Sequence, residues 1–362
     1  VKISLVTDAW FPQVNGVVTT LAELVQGVVG RGHAVDVIEP STFRRIPCPG
    51  YREIDLSLFP AAQVARRLAA ADADAIHIAT EGPLGRAARR WCLHQGRAFT
   101  TAFHTRFPEI LARALHLPTA WGYAAFRRFH APAAGVMVPS EGMREILRAH
   151  RFERLLPWTH GVDLSQFQPV PGADLGLPRP VWLYVGRVSY EKNLDAFLGL
   201  DLPGSKVVYG VGPLLEPLRR AHPGVHWRGV VPRTALAAIY SAADAFVFPS
   251  RCETFGLVML EALACGLPVA AYPEAGPLDV LGTSGVTATA LGEGDHARRA
   301  AGVLDHDLRA AALGALRVSR LAARERALAF GWDAVCEQFI GHLRPARPGA
   351  IVDGVASPQA AA

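Results

Sequence analysis

The sequence predicts an α/β protein of two doubly wound domains. Three observations carry that expectation. Short apolar runs alternate with amphipathic helical stretches, the signature of parallel sheets covered on both faces. That rhythm stops in a proline- and glycine-rich segment near the middle and then restarts. The length of 362 residues is enough for two cores. Ligands in such sheets bind beyond the carboxyl ends of the strands, so residues directly after strands are the functional candidates.

In the first half, strands are expected at 1–7, 34–38, 75–79, 98–103, 135–138 and 155–159. Helices are expected at 17–30, 61–71, 83–95, 119–130 and 141–150. Gly27, Gly30 and Gly32 close the first helix and do not follow a strand, so they read as a helix stop and not as a dinucleotide fingerprint. Residues 161–180 hold four prolines and three glycines. The expected division is therefore a first domain over 1–165, a linker over 166–180 and a second domain over 181–329. A last helix spans 330–343, and 344–362 reads as a loose tail. Strands of the second half are expected at 181–185, 206–209, 225–227, 245–248, 269–272 and 286–290, with a long helical pattern over 305–329.

Half of the residues are apolar and 19% are charged, an ordinary globular balance. No apolar run is long enough to span a bilayer, and from the opening strand pattern no secretory leader is expected. The five cysteines are odd in number, widely spaced and without zinc-ligand spacing, which suits a reducing cytoplasm. Charge is uneven. Residues 85–154 carry twelve arginines and four acids, a net +8, while the whole chain is +5. Such a segment suits a membrane surface, a nucleic acid or a phosphate-rich ligand, or is simply solvated surface. No recognition helix or aromatic RNA-binding motif supports the nucleic acid. Within it, residues 119–130 place Trp121, Tyr123, Phe126 and Phe129 beside Arg127 and Arg128. That mixture fits docking at an anionic bilayer or the filling of a core.

The stretch from Ala245 to Val269 reads as strand, loop, helix, stop and strand. Pro249 ends the strand and Thr254 is expected to cap the helix, which Gly266 and Pro268 close. Glu253 at the helix start and Glu261 within it lie about 12 Å apart along the axis. Two carboxylates can thus enter one cleft at different heights, although glutamate also suits the first turn and the interior of any helix. After the 181–185 strand, Gly186-Arg187 and Lys192-Asn193 offer two cations suited to a diphosphate. Gly210 and Gly212 follow the next strand. Asn15-Gly16 is a turn signal that opens the first helix. Glu81, after the 75–79 strand, is read equally as a carboxylate facing the cleft to bind ligand hydroxyls or as one decorating a helix start. His104 and Arg106 follow the 98–103 strand, in His-Thr-Arg-Phe-Pro-Glu. The pairs Asp72/Asp74 and Asp305/Asp307 have metal-motif spacing but sit where helices begin or end, and read as caps.

Pro-Ser-x-x-Glu-Thr-Phe-Gly-Leu…Glu-Ala-Leu-Ala-x-Gly-Leu-Pro-Val, with Gly-Arg-x-x-x-Glu-Lys-Asn before it, resembles the signature of family 4 (GT4) retaining glycosyltransferases. The resemblance extends to about Leu343. It implies the GT-B fold, two Rossmann-like domains facing a central cleft, and the transfer of a hexose from a GDP- or UDP-linked sugar without metal or other cofactor. It assigns Arg187 and Lys192 to the donor diphosphate, Glu253 to the donor sugar and Glu261 to the ribose. Asn15, Gly16, Gly186, Gly212, Thr254, Phe255, Gly256 and Leu257 complete the donor side. His104 lies near the reacting sugar, with Glu81 and Arg106 on the acceptor side. Val211 departs from the family, which usually has an acid there. The closest flavour is the lipid-directed mannosyl, glucosyl and sulfoquinovosyl branch. That implies a glycolipid or diacylglycerol-type acceptor and a peripheral place on the inner face of the cell membrane. A regulatory sugar-nucleotide binder, or a transferase acting on a soluble or polysaccharide acceptor, is the alternative.

Overall fold

The central strands of both sheets are buried on both faces, and alternation along them fills two cores at once. In the second half, Leu183, Val207 and Phe246 face one core while Trp182, Tyr184, Val208 and Val247 face the other. In the first half, Ile3 and Leu5 fill one side and Val6, Ile76 and Ile78 the other. The computed structural model describes residues 1–13, 15–48, 51–115, 117–282, 285–288 and 299–347, with the backbone alone at 48, 51–54, 111 and 113–115. The chain forms two units. One is Val1–Thr159 together with the chain from Trp332 onward, and the other is His160–Gly331.

In the first unit, β1 (Lys2–Val6), β2 (Ala34–Ile38), β5 (Ala75–Ile78), β6 (Thr100–Ala102), β7 (Gly135–Val138) and β8 (Leu155–Pro157) form one parallel sheet in the order β2-β1-β5-β6-β7-β8. The helices are α1 (Gly16–Gly30), α2 (Ala61–Ala71), α3 (Pro83–His94), α4 (Phe107–Leu115), α5 (Thr119–His130) and α6 (Glu141–Ala149). An antiparallel hairpin, β3 (Arg45–Cys48) and β4 (Tyr51–Ser57), stands apart from the sheet.

In the second unit, β9 (Val181–Val185), β10 (Ser205–Tyr209), β11 (His226–Gly229), β12 (Ala245–Phe248), β13 (Val269–Ala271), β14 (Gly285–Val286) and β15 (Gly302–Leu304) make a second parallel sheet, ordered β11-β10-β9-β12-β13-β15-β14. Its helices are α7 (Leu194–Leu198), α8 (Leu215–Ala221), α9 (Arg233–Ala242), α10 (Leu257–Ala264), α11 (Ala275–Leu281), α12 (Leu308–Ala315) and α13 (Arg320–Leu328). The last helix, α14 (Trp332–His342), packs in the first unit, where Val335 and Phe339 meet Leu21, Leu24 and Val28 of α1. These are Rossmann-like doubly wound sheets. Strand order reverses between β1 and β5 in the first sheet and between β9 and β12 in the second, where β14 also lies outside β15 at the sheet edge.

Local sequence explains most boundaries. Asn15, Ser140, Asp307 and Ser319 cap α1, α6, α12 and α13 by accepting backbone N–H groups. Gly32 and Gly266 close α1 and α10 with positive φ of 82° and 72°. Asp72 ends α2 and Asp307 begins α12, so each aspartate pair is tied to a helix end.

Several expectations are corrected. The segment 166–180 is not a free linker: Phe167 is fully buried in the core of the second unit, and the units divide between Thr159 and His160. The long helix over 305–329 is two helices, broken where Ser319 starts the second. Residues 344–347 are pinned and not loose. Ala346 N–H donates to Asp74 O at 2.7 Å, and Arg347 pairs with Asp72 at 2.8 Å. The remainder of the expected tail, 348–362, lies outside the described residues, as do Thr289 and Ala290 of the expected 286–290 strand. The helix α4 is absent from the sequence expectations. Its Pro108 occupies the first turn, where a missing N–H costs nothing. Among the described residues no helix is long and apolar enough to cross a membrane.

A buried histidine sets part of the acid stability. His77 on β5 is fully buried between Trp158 and Phe339, with Nδ1 2.9 Å from Thr100 Oγ1. Burial pushes its pKa down to about 3. The folded value lies below the unfolded one, so the contribution is complete above pH 6.5 and is lost as pH falls through the folded value. His77→Gln should shrink the stability difference between pH 7 and pH 4 by ~3 kcal/mol. Chemical denaturation at the two pH values checks this; an unchanged difference would mean that the fold tolerates the charged ring.

Candidate functional site

The second unit gathers its candidate residues at the reversal of strand order. The β9 strand is followed by Gly186, Arg187 and a short 3-10 turn, Tyr190–Lys192. The neighbouring β12 is followed by Pro249, Ser250 and Glu253. Two hydrogen bonds stitch the loops together, from Asn193 Nδ2 to Pro249 O at 3.0 Å and from Ser250 Oγ to Glu191 O at 3.2 Å. Held this way, Lys192 Nζ meets Glu253 Oε2 at 2.5 Å. Burial works against the lysine charge, but the charge and hydrogen bond of Glu253 outweigh it and raise the Lys192 pKa. Lys192 is therefore charged at neutral pH. Arg187 lies half-buried in the same loop, with its carbonyl taking a hydrogen bond from the Tyr184 hydroxyl at 2.9 Å.

Glycine makes this arrangement possible. A Cβ at Gly210, where φ is +145°, would stand 1.9 Å from Gly186 O, and one at Gly212 would stand 2.2 Å from Val188 O. The loops after β9 and β10 thus lie backbone against backbone, joined by Val188 N–H to Val211 O at 2.9 Å. This contact leaves a strand-end floor without side chains, the surface that a phosphate approaches most closely.

The helix that was expected to carry both glutamates carries one. Gly256, with φ of +99°, is the residue before α10, and no side chain caps the helix. Thr254 is not the cap; its N–H donates to Glu253 Oε1 at 3.3 Å. Glu253 therefore belongs to the loop, because the left-handed turn at Gly256 delays the helix. In the first turn of α10, the Met259 N–H donates to Gly256 O at 3.0 Å. Glu261 does lie on α10. It is buried, with Oε2 accepting from Tyr240 at 3.0 Å and Oε1 from Arg233 at 3.3 Å. Phe255 is a core side chain, edge-on to His160 and Phe330, and Leu257 packs against the same core. The Phe255 side chain is thereby withdrawn from any ligand, which it can meet only through its backbone.

In the first unit, the reversal between β1 and β5 is occupied by Asp8, a residue outside the candidates named from sequence. Its carboxylate accepts from Leu84 N–H at 2.8 Å, Gly85 N–H at 3.3 Å and the Thr80 hydroxyl at 2.8 Å, so it caps α3 from across the sheet. Burial pushes Asp8 up to about 6 against the lowering effect of these donors. An acid immediately after the first strand was the available signal. Glu81 decorates no helix start. Its Oε1 lies 3.1 Å from Nε2 of buried His130, whose Nδ1 is 2.9 Å from Thr101 Oγ1. His104 is buried edge-on to Trp158, with ring centroids 5.7 Å apart. Arg106 is paired with Glu109 at 2.6 Å, and Glu109 also accepts from Tyr123. Asn15 caps α1 through Val18 N–H at 3.0 Å, and Gly16 is the first helical residue. Of the α5 aromatics, Tyr123 and Phe129 are buried and Phe126 is partly so; Trp121 is 66% exposed.

Residues 14–166 match the sequence profile of Glycosyltransferase Family 4, and residues 179–306 match that of Glycosyl transferases group 1. The chain belongs to the family 4 glycosyltransferases. Its relatives include a GDP-mannose-dependent alpha-mannosyltransferase of Mycobacterium tuberculosis, 29% identical over 96% of this chain and 97% of that protein. Another is the alpha-monoglucosyldiacylglycerol synthase of Streptococcus pneumoniae, 28% identical over 75% of this chain and 71% of that protein. Among solved structures, a sucrose-phosphate synthase from Thermosynechococcus elongatus superposes with a TM-score of 0.72 at 21% identity, covering 93% of this chain and 97% of that one. That likeness shows the GT-B fold. Arg187, Lys192 and Glu253 therefore stand at a strand-order reversal in a family 4 glycosyltransferase.

The glycine contact is open to test. Gly210→Ala should cost ~3 kcal/mol, from backbone strain and the collision with Gly186 O. Gly224→Ala, which meets nothing within 4 Å, is the matched control and should change stability little. Denaturation midpoints of the two variants decide the point; equal midpoints would mean that the loops separate freely.

Proposed function

We propose that this glycosyltransferase moves a mannose- or glucose-type hexose from a GDP- or UDP-linked donor to a glycolipid or diacylglycerol-type acceptor. In this reading the anomeric configuration is retained, and neither metal nor other cofactor takes part. The observation that carries it is the Lys192–Glu253 pair, fixed 2.5 Å apart beside Arg187 at the β9/β12 reversal. Breaking the anomeric bond builds negative charge on the departing diphosphate. Arg187 answers it with a planar fork of donors and Lys192 with a compact charge, and the uncapped start of α10 adds N–H groups. In the free protein Glu253 neutralises Lys192. A bound diphosphate competes for the lysine, which releases the carboxylate toward the sugar. Glu261, held by Tyr240 and Arg233, presents remaining lone pairs to ribose hydroxyls. In the first unit, His104 takes a catalytic role and Glu81 and Arg106 serve the acceptor.

The names of two relatives support the finer terms, one being GDP-mannose-dependent and the other making a glucosyldiacylglycerol. The exposed Trp121 on α5 supports a peripheral position on the inner face of the cell membrane. With a panel of nucleoside diphosphate hexoses and a lipid extract, the purified protein should release nucleoside diphosphate and add one hexose to a lipid, read by mass spectrometry. Release of no nucleoside diphosphate from any donor would defeat the transferase reading. Glu253→Gln should lower turnover by at least ~100-fold while nucleotide affinity persists. Wild-type turnover in that variant would remove Glu253 from the reaction.

A further inference from the structure

Away from these residues, the first unit has a hollow of 540 Å³ between the C-terminal ends of α5 and α6. Its walls include Arg127, Arg128 and Arg151 over a floor of His130 and Phe152, with Glu153 at the edge. We propose that this hollow binds a phosphate monoester or free phosphate, gripped by the three guanidinium groups.

The arginines are surplus to the needs of the fold. Carbonyls at the end of α5 attract cations, but other side chains already serve them. Arg89 donates to Phe129 O at 2.8 Å and to Arg128 O at 3.0 Å, and Arg154 donates to Ala133 O at 2.8 Å and to Ala131 O. With those carbonyls covered, the helix end no longer repels an anion. Among the described residues, no side-chain hydrogen bond or ion pair engages Arg127, Arg128 or Arg151. The single acid of the wall, Glu153, is 3.7 Å from Arg154.

Gathering such cations without a counter-ion is unfavourable. The pKa of Arg89 is lowered, first by burial and then by the neighbouring charge of Arg128. Arg151 also stands where the chain leaves α6 in the left-handed region, with φ of +62°. Its N–H bonds Arg148 O at 2.8 Å, and Phe152 N–H bonds Leu147 O at 3.0 Å. Glycine is usual at such a position, and an arginine there accepts backbone strain.

A dianion with several acceptor oxygens matches three planar donor groups, whereas a single carboxylate is satisfied by one of them. The buried His130 supplies wall and no bond, because both ring nitrogens are engaged by Glu81 and Thr101. The site does not depend on the transferase reading.

Calorimetric titration with inorganic phosphate at low ionic strength, and flotation with vesicles of phosphatidylcholine alone or with phosphatidic acid, test the site in the intact protein. Arg127→Gln combined with Arg151→Gln should weaken binding at least tenfold, with an unchanged melting temperature. Arg128→Gln alone should weaken it severalfold. Arg44→Gln with Arg66→Gln removes two exposed arginines elsewhere on the unit and should leave binding intact. Saturable binding of free phosphate assigns a soluble ligand, and binding only to phosphatidic acid vesicles assigns a headgroup. Both support the site if the first pair abolishes them. Binding to neither probe, or equal loss in the Arg44/Arg66 control, would overturn it.

Discussion

Each sheet reverses its strand order beside its first strand, and the organisation of both units follows from that reversal. A parallel strand returns only through a crossover, and crossovers of one hand send successive helices to one face until the direction changes. At that point the two neighbouring strand ends carry loops that lead to opposite faces, leaving room between them. In the second unit the room is bordered by Gly186, Arg187 and Lys192 from one side and by Pro249 to Glu253 from the other. In the first unit Asp8 and the loop from Thr80 to Glu81 occupy the equivalent place. The two reversals are treated differently. One is lined with cations and bare backbone. The other is closed by a carboxylate that caps α3 and by a glutamate bound to a buried histidine.

The donor-side geometry is a balance of opposing terms. Lys192 is largely withdrawn from water, which disfavours its charge, and Glu253 restores that charge at the cost of engaging its own carboxylate. The pair keeps Lys192 charged and holds both side chains in place. The glycines do the remaining work by omission, since any Cβ at Gly210 or Gly212 would occupy the place of a carbonyl oxygen. Rigidity here comes from backbone contact and two interloop hydrogen bonds, which suits a site that must meet a diphosphate with little rearrangement.

Regular elements with strong local signals were legible in the sequence. The helices over 61–71 and 119–130 and the strands over 34–38, 135–138, 181–185 and 245–248 occur where helical patterns and short apolar runs predict them. Elements governed by tertiary contact were not. The β3/β4 hairpin forms its own two-stranded sheet, outside the βα rhythm, and α4 hides its start behind a proline. Residues 166–180 look like linker by composition, yet bury Phe167 in a core. The candidate site divides along the same line. Lys192, Arg187, Glu253 and Glu261 were visible because charged residues follow strands or sit in a long, specific pattern. Asp8 was not, because its partners, Thr80, Leu84 and Gly85, lie more than seventy residues away.

The sequence by itself determined the two-fold βα rhythm, the residues at the strand ends and membership of a glycosyltransferase family, because periodicity and motif spacing are local properties of the chain. Only the tertiary structure decided what those residues touch. It moved Glu253 off the helix, through a left-handed glycine whose φ no motif states. It gave Glu81 a histidine partner, showed Phe255 as core, and set Arg127, Arg128 and Arg151 around a single hollow. Partners of this kind are chosen by strand order and packing across the sheet, and neither is written in the spacing of neighbours along the chain.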